Sequence, residues 1–511
     1  MKTRSMAAFT AFTILGALLL AAQTHAAAQE PTDPDTRAWW GVAAQLSDDS
    51  MEGRDTGSAG YDRAAKLVAE KFKAAGLQPQ GEQGGWFQPV AMNQVNVDSA
   101  VFSLGKRSLT FLYDITVDPT EGMLATVDAP LAYRGYCGTA ALGDVRGKVV
   151  ICHGTHRTGL PSAAEREAAV KAGGGIGIMA IADPGFTVEP PRWPFAYARV
   201  VTLASSTPQA DTFLRFRLNA DALEKVIGAH EPRATELIDK GSKGVALPSF
   251  DIADPFHAAF TLTKRRIVSA NVIGLLPGSD PAKGDQAIVL SAHLDGYGHG
   301  TPVDGDGIYN GTLDDAAYVA LLIRLAEQRH GKGYRRPVIF AAFTGEEKGL
   351  LGAQGFINSP TFPKARIAAN INLDQLRPIF PLELLTVHAL DDTSLGDDVR
   401  TIAGGMHIEV QRDPEPERNL LRRADQWIFM QAGIPATAFV FGYRPGSQSE
   451  RIYRQWYRTG YHKPQDDIHQ LMDWQAAADF NRFFYALVER VSDKEEAPAW
   501  KADSKLKPNA H

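Results

Sequence analysis

The sequence predicts an α/β protein: a mixed sheet, parallel in its centre and sandwiched by helices, with a β-rich module inserted into it. Three observations carry that reading. From Ile267 onward, apolar runs of strand length alternate with longer helical patterns, as expected where helices cover a sheet. Residues 95–152 instead show short β-type runs separated by turns. Finally, 511 residues exceed the roughly 100 to 200 residues of one domain.

Residues 1–28 read as a secretory signal peptide, with Lys2 and Arg4, the apolar run Met6–Ala22 and the small residues Ala26-Ala27-Ala28. The run is shorter than the roughly 20 apolar residues of a spanning helix, and Thr10, Thr13 and Gly16 interrupt it. Cleavage after Ala28, export to the periplasm or the cell exterior, and no membrane span in the mature chain are therefore expected. Residues 29–113 open the main domain, where Ala64, Leu67, Val68, Phe72 and Leu77 fall at helical spacing before a Gly-rich turn at 81–85. Residues 114–248 form the expected insert, with a strand at Val149–Cys152 and then a helix, turn and apolar strand over 163–180. Residues 249–493 complete the main domain. Strands are expected at Ala287–Ser291, Val338–Phe343 and Ile367–Leu373, and helices at Asp314–His330, Lys348–Ile357 and Trp474–Arg490. The charged, Pro-containing tail 494–511 is expected to be loose.

Composition narrows the function. With 44% hydrophobic and 22% charged residues, the chain lies in the ordinary globular range, which excludes collagenous, coiled-coil and disordered classes. A net charge of −6 leaves no basic excess to neutralise phosphates, so nucleic acid is not an expected partner. Two cysteines exclude a disulfide scaffold and any Cys-built zinc ribbon. In an exported chain Cys137 and Cys152 either pair or stay as buried thiols, and the spacing leaves both open. Gly175-Ile176-Gly177-Ile178-Met179-Ala180 fits a dinucleotide pattern but follows a helix and leads into a strand, the reverse of a nucleotide loop. Gly-x-Ser-x-Gly, phosphate-loop and His-Glu-x-x-His patterns are absent from the sequence.

Five clusters carry the chemistry, several of them at predicted strand ends, where open α/β sheets bind ligands. His293 with Asp295 suits a metal-binding imidazole backed by an acid, although a His at a strand end is ordinarily surface or core. Asp314-Asp315 precedes a helix, where the ordinary role of an Asp is capping. Glu346-Glu347 follows an apolar strand; the pair either loads a helix start or supplies a general base and a metal ligand. Asp374 closes an apolar strand, where burial without a cation is costly. Tyr461-His462, with Asp466-Asp467, is otherwise a solvated loop. Singly each has a bland explanation; in this order together they do not.

The set resembles the co-catalytic zinc aminopeptidases of the glutamate carboxypeptidase II and transferrin-receptor-like group. The likeness covers nearly the whole mature chain, including Met51-Glu52-Gly53-Arg54, Thr56-Gly57-Ser58 and Gly76-Leu77-Gln78-Pro79. Asp144-Val145-Arg146-Gly147-Lys148-Val149-Val150 resembles a protease-associated domain, a weaker signal. The resemblance implies a zinc aminopeptidase-like fold and two zinc ions bridged by Asp314, one completed by His293 and Asp374 and the other by Glu347 and His462. It implies Glu346 as general base acting on a metal-bridging water, Asp295 orienting His293, Tyr461 hydrogen-bonding the oxyanion, and a cis Asp314–Asp315 peptide. Peptides would be the substrates. Imidazole and carboxylate donors with open positions suit Zn²⁺.

Two motifs depart from relatives: Arg423-Ala424-Asp425-Gln426 stands for Arg-Ser-Asp-His, and Ala316-Ala317-Tyr318-Val319 for Asn-Ala-Ser-Gly. Both bear on the substrate pocket and neither touches a metal ligand. The arginines 418, 422, 423, 444, 451, 454 and 458 either receive a substrate carboxylate or form a surface paired with Glu415, Glu417 and Glu450, the second being favoured. An exported di-zinc aminopeptidase is the leading reading. A carboxypeptidase or dipeptidase of the same fold, a metal-free binding protein of the receptor-like branch and a one-zinc glutaminyl-cyclase-like enzyme stand behind it. The insert is expected to limit access to the cleft or to help bind substrate.

Overall fold

A computed structural model describes residues 30–138, 142–155, 157–184, 193–207 and 211–508. The expected signal peptide lies outside them, and none of the helices among the described residues is long and apolar enough to cross a membrane.

Helices α1 (Pro34–Leu46) and α2 (Ala59–Ala74) open the main domain, as their helical spacing predicts. Asp33 caps α1 by accepting from the Thr36 N–H at 2.8 Å, and Ser58 caps α2 by accepting from the Tyr61 N–H at 3.1 Å. Two long strands follow, β1 (Phe87–Leu104) and β2 (Phe250–Leu276), then β3 (Ala287–His293), α3 (Ala317–Arg329), β4 (Val338–Phe343), α4 (Leu351–Asn358), β5 (Ile367–Asn372), β6 (Ala436–Thr437) and α5 (Trp474–Asp493). In the sheet, β6, β5, β3 and β4 lie side by side and parallel, and β2 joins the edge of β4 antiparallel. The centre is parallel, as the strand–helix alternation predicts.

Alternation along β3 and β4 builds the layers. Ile288, Leu290, Ala292, Val338, Phe340 and Ala342 pack into the core shared with α1, α2, α3 and α5. Val289, Ile339, Ala341 and Phe343 face the opposite way, against Phe356 of α4 and Phe429. Both faces are covered, which explains why these strands read as unbroken apolar runs.

The long ribbon was not legible as such. β1 and β2 pair antiparallel from Phe87↔Val272 to Leu104↔Phe256 and run from the main domain into the insert. The exposed stretch Thr263-Lys264-Arg265-Arg266 hides strand character in the middle of β2. In the insert, strands Thr126–Tyr133, Val149–Gly154, Gly177–Ala182 and Leu214–Leu218 are parallel, with a capping box at Ser162 opening the intervening helix Ala163–Ala172. Their core takes in Val97, Phe102, Leu104, Leu109 and Leu112 before it, and Ile252, Phe256, Ala258 and Phe260 after it. The packing unit is therefore wider than the expected 114–248, because the ribbon donates its distal apolar residues to the insert.

Cys137 and Cys152 are joined as a disulfide, with Cα atoms 5.5 Å apart and both side chains fully buried beside Val145, Val150 and Val170. Their separation of 15 residues corresponds to about 3 kcal/mol of loop-closure stabilisation. A Cys137→Ala, Cys152→Ala variant is expected to lose about that much in urea unfolding of the insert; a loss under about 1 kcal/mol would contradict it.

The tail is not loose over its described part. Lys494 and Lys501 pair with Asp398 and Asp397 of helix Leu395–Gly405 at 2.5 and 2.8 Å. The Trp500 indole donates to the Gly433 carbonyl at 2.8 Å, and Trp500 and Leu506 pack on the second face of the sheet. Its charges meet fixed acids, and its two large apolar side chains have a surface to bury.

Candidate active site

The parallel strands end together, and so do the residues singled out in the sequence. His293 is the last residue of β3, Glu346 and Glu347 occupy the turn after β4, and Asp374 lies two residues beyond β5. Asp314 comes from the turn before α3, and His462 from the loop after helix Gln448–Thr459. The helix expected from Asp314 begins at Ala317, since Asp314 and Asp315 have non-helical backbone and the peptide between them is cis. Neither acid caps the helix; Asp315 Oδ2 accepts from the His293 N–H at 3.1 Å. Likewise the helix expected from Lys348 starts at Leu351, leaving both glutamates in a turn.

Buried Arg54 holds this edge together. It donates from Nε to the Leu294 carbonyl at 2.8 Å and from its terminal nitrogens to the carbonyls of Leu46, Asn310 and Gly311 at 2.9, 2.6 and 2.9 Å. The backbone just after His293 and that leading into Asp314 are thus tied to one guanidinium. Gly311 has φ +56°, and a Cβ there would sit 2.4 Å from the Asp314 carbonyl oxygen, so the approach requires glycine.

The two oxygens of Asp314 face different imidazoles. Oδ1 lies 3.4 Å from His293 Nε2, and Oδ2 lies 3.5 Å from His462 Nε2. His293 Nε2 is also 4.0 Å from Asp374 Oδ1, and His462 Nε2 is 3.7 Å from Glu347 Oε1. Two triads result, His293–Asp314–Asp374 and Asp314–Glu347–His462, each with ligand atoms within 4.8 Å of one another. A third grouping, His293–Glu346–Glu347, meets the same distance.

The donors fit divalent metal on their own chemistry. Glu347 Oε1 is buried without a hydrogen-bond partner, a costly state unless a cation faces it; Asp314 Oδ2 also lacks a hydrogen bond but has the Arg377 guanidinium 3.3 Å away. Burial pushes Glu346 well above the usual carboxylate range and Glu347 up to about 7; the imidazoles pull the other way, and neighbouring acids add to the rise. Burial also raises Asp374. Burial would raise Asp314 too, but Arg377 and the two histidines outweigh it and hold Asp314 well below its ordinary value. A divalent ion between these acids would favour their ionised forms against the cost of burial.

Around the triads, three contacts bear on expected roles. The Asp295 carboxylate does not reach His293: Oδ1 is 3.9 Å from Nδ1, and the main-chain carbonyl of Asp295 makes that contact at 3.0 Å. The carboxylate instead accepts from the Glu346 N–H at 3.0 Å and from Thr56 Oγ1 at 2.9 Å. Because β3 ends at His293, the chain turns and presents the carbonyl. Tyr461 stacks on the His462 ring at 3.5 Å between centroids, and its hydroxyl receives the Arg423 guanidinium at 3.2 Å. Tyr297 donates to Glu347 Oε2 at 2.5 Å and Tyr197 contacts His462 Nδ1 at 2.6 Å. Both tyrosines were missed in the sequence, where nothing distinguishes them from core aromatics.

A cleft of about 580 Å³ opens over the triads between the main domain and the insert, lined by Glu346, Asp374 and Tyr461 on one side and Tyr197 and Arg217 on the other. Three of the seven arginines of the expected cluster pair with acids: Arg418 and Arg454 meet Glu415, Arg454 also meets Glu450, and Arg444 meets Glu409. Arg422 and Arg423 differ in lining the cleft.

Fold and donor set define a class, α/β proteins that hold divalent metal at the carboxyl ends of a parallel sheet. Residues 271–488 match Peptidase family M28. The chain is 30% identical over 179 residues to a protein described as a probable zinc metalloprotease from Pyrenophora teres f. teres, covering 33% of this chain and 38% of that protein's length. It superposes on the zinc aminopeptidase BSAP from Bacillus subtilis with TM-score 0.60 at 17% identity, covering 92% of this chain and 97% of that one. A peptidase M28 precursor from Shewanella amazonensis superposes with TM-score 0.55 at 13% identity, covering 93% and 98%. The expected zinc aminopeptidase-like fold is thus borne out.

Proposed function

We propose that the protein is an exported, zinc-dependent exopeptidase, in the first instance an aminopeptidase, that holds two zinc ions per chain. The carrying observation is Asp314, whose two oxygens each face a separate imidazole, the arrangement expected of a carboxylate shared between two ions. His293 and Asp374 would complete one site, and Glu347 and His462 the other. When bound, zinc supplies Lewis acidity that polarises a scissile carbonyl and lowers the pKa of water.

The chain's own groups do the rest. Glu346, its backbone N–H fixed on Asp295 Oδ1, takes a proton from the attacking water at its carboxylate and passes it to the leaving nitrogen. Tyr461 donates its hydroxyl proton toward the oxygen that gains charge. The insert, walling the other side of the cleft, limits access as a protease-associated domain would. Export is supported by the leader composition of residues 1–28 and by the disulfide, which suits an oxidising compartment.

A second reading has its own observation. Arg422 and Arg423 line the cleft and could receive a substrate carboxylate, which favours a carboxypeptidase or dipeptidase. Aminoacyl-p-nitroanilides tested beside N-blocked peptides separate the two. Cleavage of free-amine substrates alone is the expected result; turnover of blocked peptides alone would replace the aminopeptidase by the second reading.

A further inference from the structure

Residues 193–199 of the insert are docked against the site. Pro194 forms an antiparallel bridge with Gly300, where a Cβ would lie 2.6 Å from the Pro194 Cα and 2.5 Å from the Tyr309 ring. Ala196 packs with Tyr297 and Tyr309, and Arg199 forms a largely buried ion pair with Asp55. Between these anchors Tyr197 places its hydroxyl 2.6 Å from His462 Nδ1. Its ring centroid lies 5.2 Å from that of Tyr297, which in turn stands 4.4 Å from the His462 ring and hydrogen-bonds Glu347. Two tyrosines, one from each module, therefore each hold one side chain of the same triad.

The other triad is held differently. His293 Nδ1 meets the carbonyl of Asp295, two positions along its own strand end. His462 Nδ1 meets a residue 265 positions away, across the cleft. An imidazole that ligates through Nε2 carries its hydrogen on Nδ1, and an acceptor there fixes both tautomer and ring plane. For His462 that acceptor is the Tyr197 oxygen.

We propose that Tyr197 is a positioning residue for the His462 half of the metal site, so that this half binds its ion at full strength only with the insert docked. The proposal rests on the two-ion reading above. It concerns neither access to the cleft nor substrate contact, and it gives the insert a part in assembling the centre itself.

The test uses the full mature chain and its Tyr197→Phe and Tyr197→Leu variants. Zinc is titrated against a chromogenic chelator, and the melting temperature of the metal-stripped protein is measured alongside. Replacing an outer partner of a metal-bound His costs about 10–100-fold in affinity. The expected result is one zinc step weakened by about that factor and the other unchanged, with Tyr197→Phe melting like wild type when stripped. Cobalt substitution is expected to change the absorption of one ion only. Two unchanged steps would overturn the proposal while leaving the two-ion reading intact, and so would equal weakening of both. A wild-type chain that takes up no zinc would overturn both.

Discussion

Glu346→Gln is expected to lower kcat by about 10²- to 10⁴-fold with zinc content unchanged. The substitution keeps shape and volume at a position only 7% exposed, and the backbone N–H bond to Asp295 does not depend on the side chain. What disappears is the group that takes the proton. Glu346 also lies within ligand range of His293 and Glu347, so a second role has to be separated from the first. If the side chain ligated metal, Glu346→Gln would lose zinc along with rate. If it acts only on the proton, zinc stays and KM moves little. Retained activity within a few-fold would remove Glu346 from the mechanism.

Asp314→Asn is expected to weaken both zinc steps by more than about 100-fold, since an inner ligand counts for more than the outer partners whose loss costs about 10–100-fold. No other side chain of the site turns one oxygen to each imidazole. The neutral amide keeps one oxygen donor but removes the negative charge that both triads share. It also leaves the buried Arg377 guanidinium, 3.3 Å from Asp314 Oδ2, without its anion, which adds a stability loss. His462→Ala is the matched comparison, because it belongs to one triad only and is expected to release one ion. Loss of a single ion from Asp314→Asn would show that the carboxylate is not shared.

The fold class was legible because burial on both faces leaves an unmistakable mark: Ala287–His293 and Val338–Phe343 are wholly buried strands and read as apolar blocks. His293, Glu346, Glu347 and Asp374 were legible because they follow such blocks, whereas Asp314, with its ordinary reading as a cap, and His462, in a loop, stood out only through the resemblance of the ordered set. The ribbon was not, since a two-stranded element with solvent along one side tolerates Lys264, Arg265 and Arg266 in mid-strand. Nor was the wider insert, whose edges are set by which ribbon residues reach its core. The tail misled because charge density was taken for solvation, whereas Asp397 and Asp398 wait for its lysines. Asp295 was singled out for its proximity to His293, but strand alternation and the turn after β3 decide which of its oxygens arrives. Tyr197 lay beyond reach for a plainer reason: a contact spanning 265 positions leaves no local pattern.

The most direct test of the account is the metal count of the purified mature chain by native mass spectrometry, taken together with the counts for Asp374→Ala and His462→Ala. Two zinc ions in the wild type and one in each variant are the predicted result. A single zinc in the wild type would contradict the shared-carboxylate centre in favour of a one-metal enzyme, and none would leave a binding protein on a peptidase fold.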